Sequence, residues 1–351
     1  MTSLPARHPY LIAVLLALAF GALAVIVAAA AGLPVRDPDV AAGPAYVRLA
    51  GLVAFLFCAA VLPRVVARVR RDHARPIDAV RSVVGQRWTL RRAWVVLAGL
   101  LSFYVTYLAY RNLKSFLPFV RDPLYDGSLA EMDRALGLGL DPATILHGVL
   151  GTGIAAHLLS LVYVSFLVLM PLSLVAALVW TRDLRRGFWW ITVLGLNWVL
   201  GTASYYLLPA LGPVFADPVT FAALPPTGVS GLQATLWEDR LAFLADPLAT
   251  QAVHGVAAFG SLHVSIAFAA AAFASLTDLP RWVCRAVWGF FGLTTLSTIY
   301  FGWHYVADDL AGVAIGALAV WAGAAATGHD VRALLAARRP ARRAQSTARV
   351  A

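Results

Sequence analysis

The chain has 351 residues, 60% hydrophobic and 13% charged, with a mean hydropathy of +0.75. That balance excludes a disordered chain, which is charge-rich and poor in aromatics, and an ordinary soluble domain, which carries about 25% charged residues. Cys58 and Cys284, the only cysteines, exclude a disulfide scaffold, and the net charge of +10 comes from 27 arginines and one lysine, Lys114, set against 18 acidic residues.

A helix needs about 20 apolar residues to cross a ~30 Å hydrocarbon core. Eight segments meet that need: 10–31, 46–63, 93–110, 153–180, 188–208, 262–279, 286–302 and 309–326. The first follows Arg7 and ends in alanines like a signal peptide, but its apolar run exceeds the 7–15 residues of such a segment, so it reads as an anchor. The chain is therefore expected to be an all-α integral membrane protein of about eight transmembrane helices.

Arginine placement sets the expected orientation. With the N-terminus inside, segments 1–9, 64–92, 181–187, 280–285 and 327–351 hold 21 basic residues, with five acidic residues on or beside them. The opposite side keeps 7 basic and 13 acidic residues. Both termini are expected in the cytoplasm, and the net charge reports topology rather than a nucleic-acid partner. Three regions follow: a helix pair with a basic loop over 1–92, a six-helix bundle over 93–326, and a basic, disordered tail over 327–351.

Two external loops are long. Residues 111–152 carry Asp122, Asp126, Asp133 and Asp141, and residues 209–261 begin with Pro209, Gly212 and Pro213. Trp237, Leu241, Leu244 and Leu248 recur at helical spacing, which predicts an interfacial helix or a lid.

Ionisable groups beside apolar helices are costly to desolvate and mark function. His304 and Asp308 are four apart, on one helix face. His263 precedes His304 by 41 residues, about 61 Å of helix or two crossings. A hairpin turning at 280–285 thus returns His304 to the side and depth of His263. An aspartate beside a histidine fixes its tautomer for nucleophilic attack, and a second histidine supplies acid–base catalysis. Ser261 sits where a helix start favours an anion, and Lys114 and Arg121 add positive charge. His8, His73 and His329 read as interfacial residues, as do His147, His157 and His254.

Lys114-x6-Arg121-Asp122-Pro123, Gly260-Ser261-Leu262-His263 and Ser297-Thr298-x5-His304-x3-Asp308 together resemble the three motifs of the type 2 phosphatidic acid phosphatase (PAP2) superfamily. The resemblance covers about residues 93–326. An aspartate is inserted before Pro123, Gly260 replaces a proline, and Thr298 stands at the third-motif arginine. The Ser-Leu-His and His-Tyr-x-x-Asp forms, with Tyr205–Pro209 and the acidic stretch Asp122–Asp133, are similar to the branch of inositol phosphorylceramide and sphingomyelin synthases.

The resemblance implies a lipid phosphotransferase or phosphatase in the cell membrane, with its active site on the extracytoplasmic side and no cofactor or metal. His304 would be the nucleophile, Asp308 its orienting partner and His263 the proton donor and acceptor. Lys114, Arg121 and Ser261 would hold phosphate, with Arg111, one turn before Lys114, replacing the missing arginine. The expected partners are a lipid phosphate or phosphodiester and an alcohol or water acceptor. A metal-dependent hydrolase with His263, His304 and Asp308 as ligands, and a transporter with charges lining a pore, remain open alternatives.

Overall fold

The computed structural model describes residues 8–38, 45–181, 183–251, 253–277 and 279–336, and these contain helices, turns and irregular segments without strands. The helices are α1 (Pro9–Ala31), α2 (Ala45–Asp72), α3 (Pro76–Arg87), α4 (Leu90–Val120), α5 (Asp126–Leu136), α6 (Pro142–Leu150), α7 (Ile154–Val175), α8 (Leu184–Leu207), α9 (Pro213–Ala216), α10 (Gly228–Ala245), α11 (Leu262–Leu276), α12 (Arg281–Tyr300) and α13 (Val306–Ala326). A π-helical turn, Ala176–Trp180, extends α7. Residues 331–336 add a short helical stretch, whereas the tail from residue 337 onward lies outside the described residues.

Each expected span overlaps a helix, and among the described residues five helical stretches are long and apolar enough to cross a membrane: Pro9–Ala31, Ala50–Asp72, Leu90–Val120, Ile154–Trp180 and Val306–Ala326. The molecule is thus a membrane-type helical protein. α8 differs for a physical reason. Phe188, Trp189, Trp190, Ile191, Val193 and Leu194 are all buried, as are the polar Thr192, Asn197, Thr202 and Ser204. A helix wrapped by other helices can carry buried polar groups, as Thr192, Asn197 and Ser204 do by donating to backbone carbonyls, so it needs no uniformly apolar surface. α1 does the opposite, turning Leu15, Leu18, Val25 and Ile26 outward, where lipid would cover them.

α8 runs through the middle of the bundle, packed on α1 and α4 on one side and on α11 and α13 on the other. α11 also packs on α12, and α12 on α7. α1 lies against α4 and α8, while α2 packs on α3 and the π turn, so the first helix is packed onto the six-helix bundle.

The α11–α13 contact positions the chemistry. Gly312 and Gly316, one turn apart on α13, bring its backbone against Ser261 and Ser265; a Cβ at either glycine would lie 2.5 Å from a carbonyl oxygen. The Ser261 N–H donates to the Asp308 carbonyl at 3.0 Å, and the Ser265 hydroxyl donates to Asn197 Oδ1 on α8.

Candidate active site

α4 continues ten residues past its expected apolar span, so Arg111 and Lys114 share one helical wall. Lys114 is buried, 8% exposed, and its Nζ lies 4.8 Å from the Tyr205 ring centroid and 3.5 Å from the Tyr110 hydroxyl. Among the described residues it makes no ion pair. The Arg111 Nη2 donates to the Val253 carbonyl at 3.0 Å, and its Nε is buried without a partner. Two cations therefore stand in one wall, neither in a direct ion pair among the described residues.

His304 occupies the turn between α12 and α13. Its Nδ1 lies 2.9 Å from the Ala258 carbonyl oxygen and 3.5 Å from Asp308 Oδ2. Both neighbours accept, so Nδ1 carries the proton and Nε2 keeps its lone pair. Burial, reinforced by the Lys114 charge, pushes His304 down to about 3, which leaves the ring neutral at pH 7. Asp308 is itself held, since Oδ2 accepts from the Tyr305 N–H at 2.9 Å.

His263, in the first turn of α11, stacks on Tyr163 at 4.5 Å and leans on Phe166 at 4.6 Å. Tyr163 in turn stacks on Trp303 at 5.3 Å. The His263 Nδ1 is 3.4 Å from the Tyr163 hydroxyl, and its Nε2 is buried without a partner.

One cavity of about 570 Å³ gathers Lys114, Arg111, His263 and His304. Its remaining lining is mostly apolar and aromatic, including Phe103, Tyr107, Phe166, Met170, Trp198 and Leu52 of α2. From Lys114 to Phe103 is 11 residues, about 16 Å along α4, so the cavity reaches from a charged end deep into the bundle. A second cavity, of about 360 Å³, touches His304 from the other side and is lined by Asp126, Asp133, Arg134 and Asp141. His304 stands in the wall between the two.

Two expected phosphate ligands fall elsewhere. Arg121, the C-cap of α4, is exposed and lines a separate cavity of about 220 Å³ with Asp122 and Arg240. Ser261 is fully buried, and its hydroxyl accepts from the Val264 N–H as the N-cap of α11. Thr298, at the position of the third-motif arginine, donates its hydroxyl to Asp309 Oδ2 at 2.9 Å. Asp309 lies beside Asp308, 4% exposed, and was not singled out from the sequence although adjacent carboxylates at a helix start are a visible signal.

Two aspartates of the acidic external loop help to build the site through contacts that spacing does not reveal. Asp126 accepts from the N–H groups of Leu211 and Gly212 at 2.9–3.0 Å and from the Tyr305 hydroxyl at 3.1 Å. Asp133 accepts from the Val306 N–H at 3.0 Å; burial, with the nearby Asp308 and Asp141 charges, pushes it up to about 6 against that hydrogen bond. These carboxylates pin the α5 region to the turn bearing His304. α10 faces inward with Val229, Arg240 and Phe243 and contributes Leu232 and Leu236 to the larger cavity. Of the stripe expected to form an interfacial helix or a lid, Leu241, Leu244 and Leu248 are exposed, the last beyond the helix end, and Trp237 turns in, stacking on Phe215 at 5.1 Å. His147 is a satisfied structural residue, its Nε2 donating to the Tyr300 carbonyl at 2.8 Å.

No curated protein and no solved structure matches the chain. A family model described as the PAP2 superfamily matches residues 127–322, a span that includes His263, His304 and Asp308 and leaves out Arg111, Lys114 and Arg121. The match covers more than half of the chain and coincides with the helices that assemble the two histidines and the aspartate, and the chain belongs to the PAP2 superfamily.

Proposed function

We propose that the chain moves a phosphoryl or phosphoryl-alcohol group from a membrane lipid to an alcohol acceptor, in the manner of an inositolphosphotransferase, at the extracytoplasmic face of the cell membrane. Superfamily membership supports lipid phosphoester chemistry of the phosphatase or phosphotransferase type. The observation that carries the reading is the neutral His304, held through Nδ1 by Ala258 and Asp308, in one cavity with His263 and the unpaired Lys114.

In this mechanism His304 Nε2 attacks phosphorus while the bond to the leaving oxygen breaks, and His263 delivers a proton to that oxygen. The product is a phosphohistidine. His263 then takes the proton of the acceptor hydroxyl, the acceptor oxygen attacks phosphorus, and the His304 nitrogen is released. Lys114 and Arg111 stabilise charge on the transferring phosphoryl oxygens, where positioning and electrostatics dominate catalysis. Ser261, committed to capping α11, supports the backbone rather than the phosphate. The apolar depth of the cavity suits the hydrocarbon part of a lipid.

The second reading is hydrolysis, with water as acceptor. Its support is the position of His304 in the wall of a second, acidic cavity, whose carboxylates repel an anionic donor but admit a small neutral molecule. Purified protein is incubated with labelled lipid phosphates and phosphodiesters, with and without inositol or other alcohols. A new lipid headgroup establishes transfer, free phosphate establishes hydrolysis, and no release from any lipid overturns both.

A further inference from the structure

At the other end of α4 the bundle carries a second concentration of positive charge. Arg64, Arg68 and Arg71 lie at positions i, i+4 and i+7 of α2, on one face of the helix. That face turns toward α3 and the first turn of α4, which bring Val83, Gln86 and Arg92 around the same cleft, with Ala67 and Asp72 completing it. The cleft measures about 840 Å³. Arg92 and Lys114 are 22 residues apart on α4, about 33 Å, so this cleft sits a membrane thickness away from the catalytic cavity.

The cleft concentrates charge of one sign. Four guanidinium groups share the cleft with one carboxylate, Asp72, which lies 3.6 Å from Arg68 Nε. The positive-inside bias explains arginines at this end of the bundle, but it gives no reason for them to converge. Independent surface arginines lower their mutual repulsion by extending apart into water. Here the fold anchors three of them around one cleft. Arg92 Nη2 donates to the Thr181 carbonyl at 2.7 Å, and its Nε is buried without a partner. Arg64 donates to the Ala60 carbonyl, and Arg68 reaches Gln86 Oε1 at 3.5 Å. Arg71 makes no hydrogen bond or ion pair among the described residues.

Guanidinium forks match the paired oxygens of a phosphate, and several forks around one void select a multiply charged oxyanion over a single carboxylate. We infer that the α2–α3 cleft is a binding site for a phosphate-bearing anion, held by Arg64, Arg68, Arg71 and Arg92. A phospholipid headgroup and a free phosphate compound share that chemistry. The inference stands apart from the catalytic reading, because the cleft shares no residue with the catalytic cavity.

The test uses the full chain in detergent, in a Lys114→Ala background that weakens anion binding at the catalytic cavity. Binding of dioctanoyl phosphatidic acid and of inorganic phosphate is titrated for three proteins: the background, R64Q/R68Q/R71Q, and the charge-matched control R281Q/R285Q/R332Q. Monodisperse gel filtration shows that each is folded. The expected result is affinity weakened about tenfold or more in the cleft variant and changed less than about twofold in the control. If R64Q/R68Q/R71Q does not fold, R71Q alone replaces it, with weakening of about threefold expected. Inorganic phosphate that binds and displaces the lipid identifies the phosphate group as the ligand; lipid binding that phosphate does not displace identifies a headgroup with its lipid. Unchanged affinity in the cleft variant, or equal loss in the control, overturns the inference.

Discussion

The His304 Nδ1 lies closer to the Ala258 carbonyl, at 2.9 Å, than to Asp308 Oδ2, at 3.5 Å. A backbone oxygen therefore helps to fix the tautomer of the proposed nucleophile. In a triad where the carboxylate alone sets the tautomer, its replacement by an amide costs about 10⁴ in kcat. With Ala258 holding the proton on Nδ1, Asp308→Asn is expected to cost only about 10- to 100-fold. His304→Ala removes the proposed nucleophile and should abolish turnover in protein that is still folded and membrane-inserted. Single-turnover assays with radiolabelled lipid phosphate give the readout: label should be trapped on Asp308→Asn and absent from His304→Ala. Normal turnover by His304→Ala would end the mechanism.

Lys114 is the only lysine in the chain, and its ammonium lies against the Tyr110 and Tyr205 side chains. A charged hydrogen bond to the transferring phosphoryl group contributes about 1.5–3 kcal/mol. Lys114→Ala is therefore expected to lower kcat/KM by roughly 10- to 150-fold. Lys114→Arg keeps the charge but not the point-like ammonium geometry, and should recover only part of the loss. Equal kcat/KM values for wild type and Lys114→Ala would remove this residue from the site.

Arg111 and Arg121 line different cavities. Arg111 lines the cavity that holds both histidines, whereas Arg121 is exposed in a different one. Arg111→Ala should lower kcat/KM by about tenfold or more, and Arg121→Ala by less than about threefold. The reverse ranking in steady-state kinetics would restore Arg121 as the phosphate ligand.

Spacing made much of this architecture legible. The return of His304 to the depth of His263 follows from helix rise and two crossings, and the eight apolar runs locate helices to within a few residues at most ends. Contacts between distant segments were not legible. Nothing in the spacing around Asp126 and Asp133 says that these carboxylates accept backbone N–H groups of Gly212 and Val306. The stripe of Trp237, Leu241 and Leu244 is periodic, but at a membrane surface an apolar face has two possible hosts, protein and lipid. Periodicity gives the face and not the host. Arg121 lies outside the cavity of the two histidines because α4 extends to Val120 and leaves the next residue at its end.

Gly260 illustrates a departure from the superfamily motif with a structural cause. Its φ is +78°, and a Cβ there would collide with the Ser204 hydroxyl. Proline, fixed near −65°, is not compatible with this backbone. Gly260→Pro should therefore distort the turn before Ser261 and cost both activity and thermal stability. Gly260→Ala should do so less severely, lowering Tm in detergent by several degrees, on the order of 1–2 kcal/mol of strain. A Gly260→Pro protein with wild-type Tm would contradict the local geometry.

Asp133 provides a prediction with a definite sign. Its carboxyl is raised to about 6, mainly by burial, while an unfolded aspartate titrates near 3.9. Between those values the folded state binds more protons than the unfolded state, so this residue lowers stability as pH rises from about 4 to 6. The neutral His304 acts in the opposite direction: its folded value of about 3 lies below the unfolded 6.5, so stability is lost as pH falls through that interval. Comparison of wild type with Asp133→Asn cancels the histidine contribution. The asparagine oxygen can still accept from the Val306 N–H, but it carries no charge. The Asp133→Asn protein should therefore gain about 1 kcal/mol over wild type at pH 7, after solvent screening, and little at pH 4. Thermal unfolding in detergent across that range is the measurement. A stability difference that does not change with pH would show that Asp133 titrates normally and that its carboxylate is not held in a desolvated site.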